Sequence, residues 1–203
     1  SGGATVNLGA TGQTFGALNG TSCTTVALGT NNLTVGNSNN LSSTYSGNLT
    51  GSGTLTKAGT GTLNLGGNNS GYSGAVNINA GTVVAQASTV FNSFNAISVA
   101  NTATLNLNDL DHSIGSISNA GTVNFGSGGT NSLILESGTS LLQAGGLFSG
   151  AGTIVINAGA TLTLNAAFTN ANINIILNGG TLNLNGTAGS LVNAIGNLIV
   201  NAN

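Results

Sequence analysis

A short segment of the general form Gly-Thr-aliphatic-x-aliphatic recurs along the whole chain, and this repeat restricts the possible folds more than any other feature. Successive copies start about 20 residues apart, which is typical of one coil of a solenoid. Such copies stack on one another because a single copy is too small to bury its apolar face. The first aliphatic residues of this first series are Val6, Val26, Leu63, Val83, Leu105, Val123, Leu141, Leu162, Leu182 and Leu198, with a degenerate copy near Tyr45.

A second series of aliphatic residues runs about half a coil out of phase with the first, again at intervals of about 20 residues. The link from the second series to the first is short and contains Gly, as between Ile78 and Val83, which suits a tight corner. The longer return, such as residues 66–74, predicts a third, irregular side. The second series consists of Leu33, Leu55, Val76, Ile97, Ile114, Leu133, Ile154, Ile173 and Ile195.

Apolar residues alternate with Thr or Asn inside each copy, as at Leu63 and Leu65. This alternation predicts strands with one buried face and one wet face. Strands this short gain a core when each pairs in parallel with its equivalent in the next coil. We therefore predict an all-β fold, a single parallel β-solenoid over residues 1–203 with about ten coils of roughly 20 residues. An antiparallel sandwich or barrel is the rival fold, but it would have strands spaced by about 8 to 12 residues.

Composition supports strands and excludes several classes of function. The 203 residues include 34 Gly and no Pro, and only 2% are charged although 39% are hydrophobic. Gly, Asn, Thr and Ser are poor helix formers, and a parallel ladder needs the N–H groups that Pro lacks. Because one Lys stands against three acids, no basic patch for nucleic acid is expected. No apolar run reaches the roughly 18 residues of a membrane-spanning helix.

Residues 53–84 read GTLTKAGTGTLNLGGNNSGYSGAVNINAGTVV. This segment closely resembles the passenger-associated repeat of bacterial autotransporters, which has a Gly-Thr-Leu-x-Lys-x-Gly-x-Gly-Thr-Leu run, a Gly-Asn-Asn-x-Tyr-x-Gly turn and an Asn-Ala-Gly-Thr strand. Weaker similarity occurs at 150–164 and 179–184. The residues that fall on the pattern are Thr54, Leu55, Lys57, Gly59, Gly61, Leu63, Leu65, Asn68, Tyr72, Gly74, Asn79, Gly81 and Thr82.

The resemblance implies a right-handed β-helix on the surface of a Gram-negative cell, an adhesin or a structural stalk rather than an enzyme. Such proteins carry a C-terminal membrane barrel, whereas this chain ends at Asn203, so we expect a cleaved passenger fragment or a free-standing solenoid subunit. The chain starts at Ser1 without Met or an apolar leader, so we expect an extracellular protein from which a signal peptide has already been removed.

The densest cluster of functional groups in the sequence is Asp109, Asp111, His112 and Ser113. Two carboxylates and an imidazole could form a metal site or an acid–base site, but a polar turn between two strands is the favoured interpretation. Cleavage of polysaccharides needs several carboxylates in one groove, and Glu136 is the only other acid. We therefore predict no catalytic, metal-binding or cofactor-binding residues and no enzymatic activity.

Two single residues have both a structural and a functional interpretation. Lys57 is the only base, and the family pattern makes it a corner residue rather than a ligand contact. Cys23 has no partner for an internal disulfide, so we expect a small packing residue or, as the alternative, a cross-link between two subunits.

Outward positions in the first series carry Thr and Asn. Stacking of these strands would line the side chains up in a flat ladder, although Thr also suits any exposed strand. The predicted ladder resembles the ice-binding face of unrelated solenoid antifreeze proteins, and it could also bind host or matrix glycans. Its candidate residues are Thr62, Asn64, Thr104, Asn106, Thr122, Asn124, Thr161, Thr163, Thr181 and Asn183.

Both ends of the chain read as ordinary strands without the charged residues or Pro that protect an open edge. The candidate edge residues are Val6 and Leu8 at the start, and Leu198 and Val200 at the end. We predict that identical solenoids pair head to tail in a non-closing fibre, so that the partner of the chain is itself. The alternative is a monomeric adhesin stalk.

Overall fold

The computed structural model describes residues 3–10, 12–37, 40–185 and 195–201, which form twenty-three β-strands. Four parallel sheets wind into a β-solenoid of about nine turns with about 21 residues per turn. The predicted all-β solenoid is thereby confirmed. No helix long and apolar enough to cross a membrane occurs among the described residues.

The strands divide among the four sheets as follows. Sheet A contains β1 (Thr5–Asn7), β3 (Thr25–Gly29) and β6 (Asn48–Gly51). Sheet B contains β2 (Gln13–Phe15), β4 (Leu33–Val35), β7 (Leu55–Lys57), β9 (Val76–Ile78), β11 (Ala96–Val99), β14 (Ser116–Asn119), β17 (Gly138–Leu142), β20 (Ala160–Leu164) and β22 (Thr181–Leu184). Sheet C contains β5 (Ser43–Tyr45), β8 (Thr62–Leu65), β10 (Thr82–Ala85), β12 (Thr104–Asn106), β15 (Thr122–Asn124) and β18 (Leu147–Ser149). Sheet D contains β13 (His112–Ile114), β16 (Ser132–Leu135), β19 (Gly152–Asn157), β21 (Ile173–Asn178) and β23 (Leu198–Asn201).

The chain visits the sides of the solenoid in a fixed order. In the N-terminal turns it runs from sheet A to sheet B to sheet C, and in later turns from sheet D to sheet B to sheet C. Sheets A and D therefore occupy the same third side, one toward each end. The sequence predicts two regular strands per turn, and the structure corrects this by adding a third strand in several turns, for example β13 before β14 and β15.

The side on which each series lies changes along the chain. Leu63 is in sheet C, whereas Leu162, from the same predicted series, is in sheet B. Successive turns contain different numbers of residues. Val83 pairs with Leu105, whereas Leu105 pairs with Val123, which is a shorter interval along the chain. The strands of all three sides share the same alternation of apolar and polar residues. The repeat in the sequence therefore shows where each turn recurs but not which sheet a given strand joins.

The inward side chains form one continuous apolar core. Leu63 and Ile154 are completely buried, and burial of such a side chain stabilises the fold by about 1.5–3 kcal/mol. On the side of sheet C the rings of Phe125 and Phe148 lie 6.3 Å apart, and those of Phe148 and Phe168 lie 5.8 Å apart. The first pair meets edge-on and the second is stacked, so these rings pack against one another in the core.

Between sheets A and D, the third side consists of two irregular arcs, residues 66–75 and 86–95. Buried amides hold them in place. Asn69 Oδ1 accepts the N–H of Leu49 at 2.7 Å, and Asn95 Nδ2 donates to two carbonyl oxygens of the preceding arc at 2.9 and 3.1 Å. The predicted irregular third side is therefore present, but only in these two turns. In the other described turns the third side consists of paired strands of sheet A or sheet D.

Candidate functional surfaces

The acidic cluster lies in the tight loop between β12 and β13. Asn108 and Asp109 both have a φ of 57°, in the left-handed region that allows a sharp reversal. Asp109 Oδ1 accepts the N–H of Gly128 at 2.6 Å, and Asp111 Oδ1 accepts the N–H of Ser132 at 2.7 Å. Each carboxylate is thus occupied by a different amide of the next turn. This arrangement supports the interpretation as a polar turn.

His112, beside this loop, points into the core and is 1% exposed. Its Nε2 lies 3.4 Å from the carbonyl oxygen of Leu107, its ring meets Phe91 edge-on at 5.4 Å, and its Nδ1 has no hydrogen-bond partner. Burial lowers the pKa of His112 to about 4, so the imidazole is neutral at pH 7. Within the described ranges no three His, Cys, Asp or Glu side chains are grouped to hold a metal ion.

Lys57 is also buried, at 1% exposure, although its position is at a corner as predicted. Its Nζ donates to the carbonyl oxygens of Ala58 at 2.6 Å, Gly59 at 2.7 Å and Ala80 at 3.4 Å. Burial lowers the pKa of Lys57. The ammonium therefore satisfies carbonyl groups where the chain turns and is not available to a ligand. Cys23 is exposed, so the expectation that it packs inside is wrong.

The predicted Thr/Asn ladder is divided between two sheets. Six of its residues lie in β8, β12 and β15 of sheet C, whereas Thr161, Thr163, Thr181 and Asn183 lie in β20 and β22 of sheet B. The prediction of a single surface is therefore wrong, and the reason is the change of side described above. On sheet C the ladder continues from β12 to β15, where Thr104 is level with Thr122.

A longer outward rank, missed in the sequence, lies along sheet B. One side chain per strand points outward at the same level through all nine strands, so the rank covers the whole length of that side. Its signal in the sequence is a polar residue between two apolar residues, which occurs in β4, β9, β11, β20 and β22. The rank consists of Thr14, Thr34, Thr56, Asn77, Ser98, Ser118, Leu141, Thr163 and Asn183.

Side-chain amides also connect successive turns at the edge of sheet D. Asn157 Nδ2 donates to Glu136 Oε2 at 2.7 Å, and Asn178 Nδ2 donates to Asn157 Oδ1 at 2.9 Å. Asn201 is level with Asn178 in the last strand. In both amide bonds the donor belongs to the later turn. Glu136 also accepts the hydroxyl of Ser113 at 2.6 Å, which makes it part of this structural ladder.

The four predicted edge residues all lie on the third side of the solenoid. Val6 in β1 is 48% exposed, and Leu198 and Val200 in β23 are 46% and 68% exposed, whereas Leu8 is buried. β1 pairs only with β3, and β23 pairs only with β21, among the described strands. Val6 is level with the buried Val26, so it points toward the core axis. Each end of the rod thus presents apolar groups and unpaired backbone on the same side.

Residues 55–85 match the model of the passenger-associated transport repeat. Comparison with curated proteins gives no match, and neither does comparison with solved structures. The matched segment comprises β7 to β10 and the first irregular arc. It also contains Lys57 and Tyr72, whose polar groups bond inside the core: the Tyr72 hydroxyl accepts from the N–H of Leu55 at 2.9 Å and donates to Ala75 at 2.7 Å. The predicted similarity of residues 53–84 to the autotransporter repeat is confirmed.

Proposed function

We propose that this chain is the rigid rod of a secreted surface protein of the autotransporter passenger type, with a structural or adhesive role. The observation that carries the proposal is the repeat match at residues 55–85, in register with a solenoid that runs the length of the described chain. In this proposal the rod holds whatever it displays away from the cell surface.

Surface display tests this proposal. The chain is fused between a cleavable signal peptide and an autotransporter barrel, expressed in a Gram-negative host, and labelled with antibody on intact cells. We expect labelling that is lost when external protease is added. Retention of the fusion in the periplasm, while a known passenger on the same barrel reaches the surface, would contradict the proposal.

The second candidate function is assembly of identical rods into a head-to-tail filament, and the position of the edge strands supports it. Because sheets A and D share the third side, stacking one copy on another brings β23 of one beside β1 of the next. Val6 and Leu8 then meet Leu198 and Val200 as apolar neighbours. The net charge of −2 adds little repulsion between copies. A contact of this kind is heterologous and does not close, which produces a fibre.

Negative-stain electron microscopy at several concentrations tests the filament. We expect thin fibres with an axial repeat of about 45 Å, the length of about nine stacked turns. A Val6→Lys, Val200→Lys double variant places charges on both edges and should give isolated rods, because charged residues block edge pairing. Leu41→Lys, at a residue that is 48% exposed and lies outside the edge strands β1 and β23, is the control and should leave the fibres intact. Isolated rods of the unchanged protein at every concentration would exclude the filament and leave the passenger rod.

A further inference from the structure

The interruption of the third side leaves a groove in the middle of the rod. The two irregular arcs form most of its wall, and its volume is about 310 Å³. The lining side chains include Asn68, Ser70, Ser88 and Ser93, with the buried ring of Phe91 among them. The groove lies where the two arcs replace strands on this side, with Ser113 of β13 at its border, so it is local to the middle of the rod.

An exposed aromatic residue adjoins the groove along the chain, although it is not among the residues that line it. Phe94 directly follows Ser93, which lines the groove, and at 71% it is the most exposed of the large apolar side chains in the described chain. Most other exposed apolar residues lie in strands near the ends, such as Val6 and Val200. Phe94 lies in the middle of the rod, so an open end does not account for its exposure.

The walls of the groove are held rigidly. Asn92 Oδ1 accepts the N–H of Phe94 at 3.0 Å, and the buried Asn95 Oδ1 accepts the N–H of Asn92 at 2.9 Å. Asn92 Nδ2 also donates to the carbonyl oxygens of Asn69 and Tyr72 at 3.1 and 2.8 Å. An arc fixed in this way presents its outer side chains in one arrangement, which reduces the entropy lost when a ligand binds.

The free polar groups of the groove are neutral. The hydroxyls of Ser70, Ser88 and Ser93 are exposed and make no hydrogen bond within the described part of the chain. The lining side chains carry no charge, and the nearby Glu136 is occupied by Ser113 and Asn157. A sugar suits groups of these two kinds, since its hydroxyls bond to serine hydroxyls and its apolar face packs on an exposed aromatic ring such as that of the adjoining Phe94.

We propose that this groove binds a neutral glycan, with Phe94 as the stacking platform and the free serine hydroxyls as hydrogen-bonding partners. A charged glycan would find no counter-ion in the groove. The site is separate from the ends of the rod and from the outward ranks of sheets B and C. The proposal of a glycan site therefore does not depend on filament assembly or on display of the rod as a passenger.

Affinity electrophoresis in native gels tests the site, with dextran, galactomannan and xyloglucan as neutral probes and alginate as the anionic probe. We expect at least one neutral polysaccharide to retard the protein and alginate to have no effect. Phe94→Ala should weaken the retardation about tenfold, because an aromatic anchor often contributes more than 1.4 kcal/mol to binding. Phe94→Tyr should preserve it, since the ring is retained. Leu41→Ala, another exposed apolar residue, is the matched control.

Phe94 is exposed, so its substitution leaves the fold intact, and far-ultraviolet circular dichroism checks this for each variant. Absence of retardation by all three neutral polysaccharides would overturn the proposal. Equal retardation of the unchanged protein and Phe94→Ala would overturn it as well, and so would stronger retardation by alginate than by the neutral probes.

Discussion

Two regions of the rod bury different kinds of side chain. Between Ser43 and Ser140 the core contains eight buried polar or charged residues, including Lys57, Asn95 and His112. From β19 to β21, the described buried side chains are all apolar. The two regions nevertheless have the same parallel pairing and the same alternation along their strands.

The difference follows from how the backbone N–H and C=O groups of each region find hydrogen-bond partners. β19 and β21 are six residues long and pair along their whole length, so the ladder itself satisfies their N–H and C=O groups. In the other region the third side departs from strand geometry, and its backbone groups would be left without partners. Asn69, Asn95 and Tyr72 supply such partners on the third side. Lys57 does the same at the corner between sheets B and C, where the chain turns. These four buried polar side chains therefore bind backbone groups that strand pairing leaves without partners.

The largest effect should come from removing the ammonium group of Lys57. Lys57→Met keeps the apolar stem but leaves the half-buried carbonyl groups of Ala58 and Gly59 without this donor. We expect the free energy of unfolding to fall by about 3 kcal/mol, since each unsatisfied buried group costs about 1–3 kcal/mol. Urea unfolding followed by circular dichroism measures the change.

The matched control for Lys57→Met is Leu162→Met in the apolar region. Its side chain is completely buried, and an exchange of similar volume should cost less than about 1.5 kcal/mol. Equal losses for the two variants would break the comparison, because they would show that the polar contacts of Lys57 contribute nothing beyond packing.

A smaller effect should come from pH through His112. Its pKa is lowered by burial to about 4 in the folded state, against about 6.5 in the unfolded state. In this window the unfolded state binds more protons, so stability decreases as the pH falls. Between pH 7 and pH 5 the loss should be about 2 kcal/mol.

The variant His112→Phe isolates this effect. It removes the titrating ring while Asp109, Asp111 and Glu136 remain, so the difference between the two proteins reports His112 alone. We expect the variant to lose less stability between pH 7 and pH 5, as measured by urea unfolding at both values. Parallel pH profiles for the two proteins would count against a buried neutral imidazole.

The smallest effect should come from the outward amides. Asn178 is exposed and donates to Asn157, and Asn178→Ala should cost about 0.5 kcal/mol, as for other cross-strand pairs. Asn95→Ala removes a completely buried amide and should cost several times more in the same urea experiment. If Asn178→Ala and Asn95→Ala lowered the free energy of unfolding by similar amounts, burial of the amide would not explain the difference between the two regions.

Much of the fold is predictable because its signals are local or periodic. The alternation at Leu63 and Leu65 identifies strands and their buried face, and the spacing of about 20 residues identifies the turns. The similarity to the autotransporter repeat was also visible in residues 53–84. These features depend on neighbouring residues, whose side chains necessarily alternate across a pleated strand.

The candidate surfaces were less predictable. The ladder that began at Thr62 was assigned to one surface, yet Thr161 and Thr181 lie on another side of the rod. Phe94 gave no periodic signal, because its exposure results from an arc that replaces a strand. Tyr72 falls on the repeat pattern, but only the structure shows that its hydroxyl lies inside, bonded to Leu55 and Ala75.

By itself, the sequence determined that this chain forms stacked parallel strands, which residues of each strand face the core, and that one turn resembles a passenger repeat. The tertiary structure decided which side each strand joins, where Lys57 and the buried amides find their partners, and where the third side opens into a groove. The physical reason is the distance along the chain between partners. Hydrogen bonds between turns join residues about 20 positions apart, and the accumulated lengths of the loops set which residues meet.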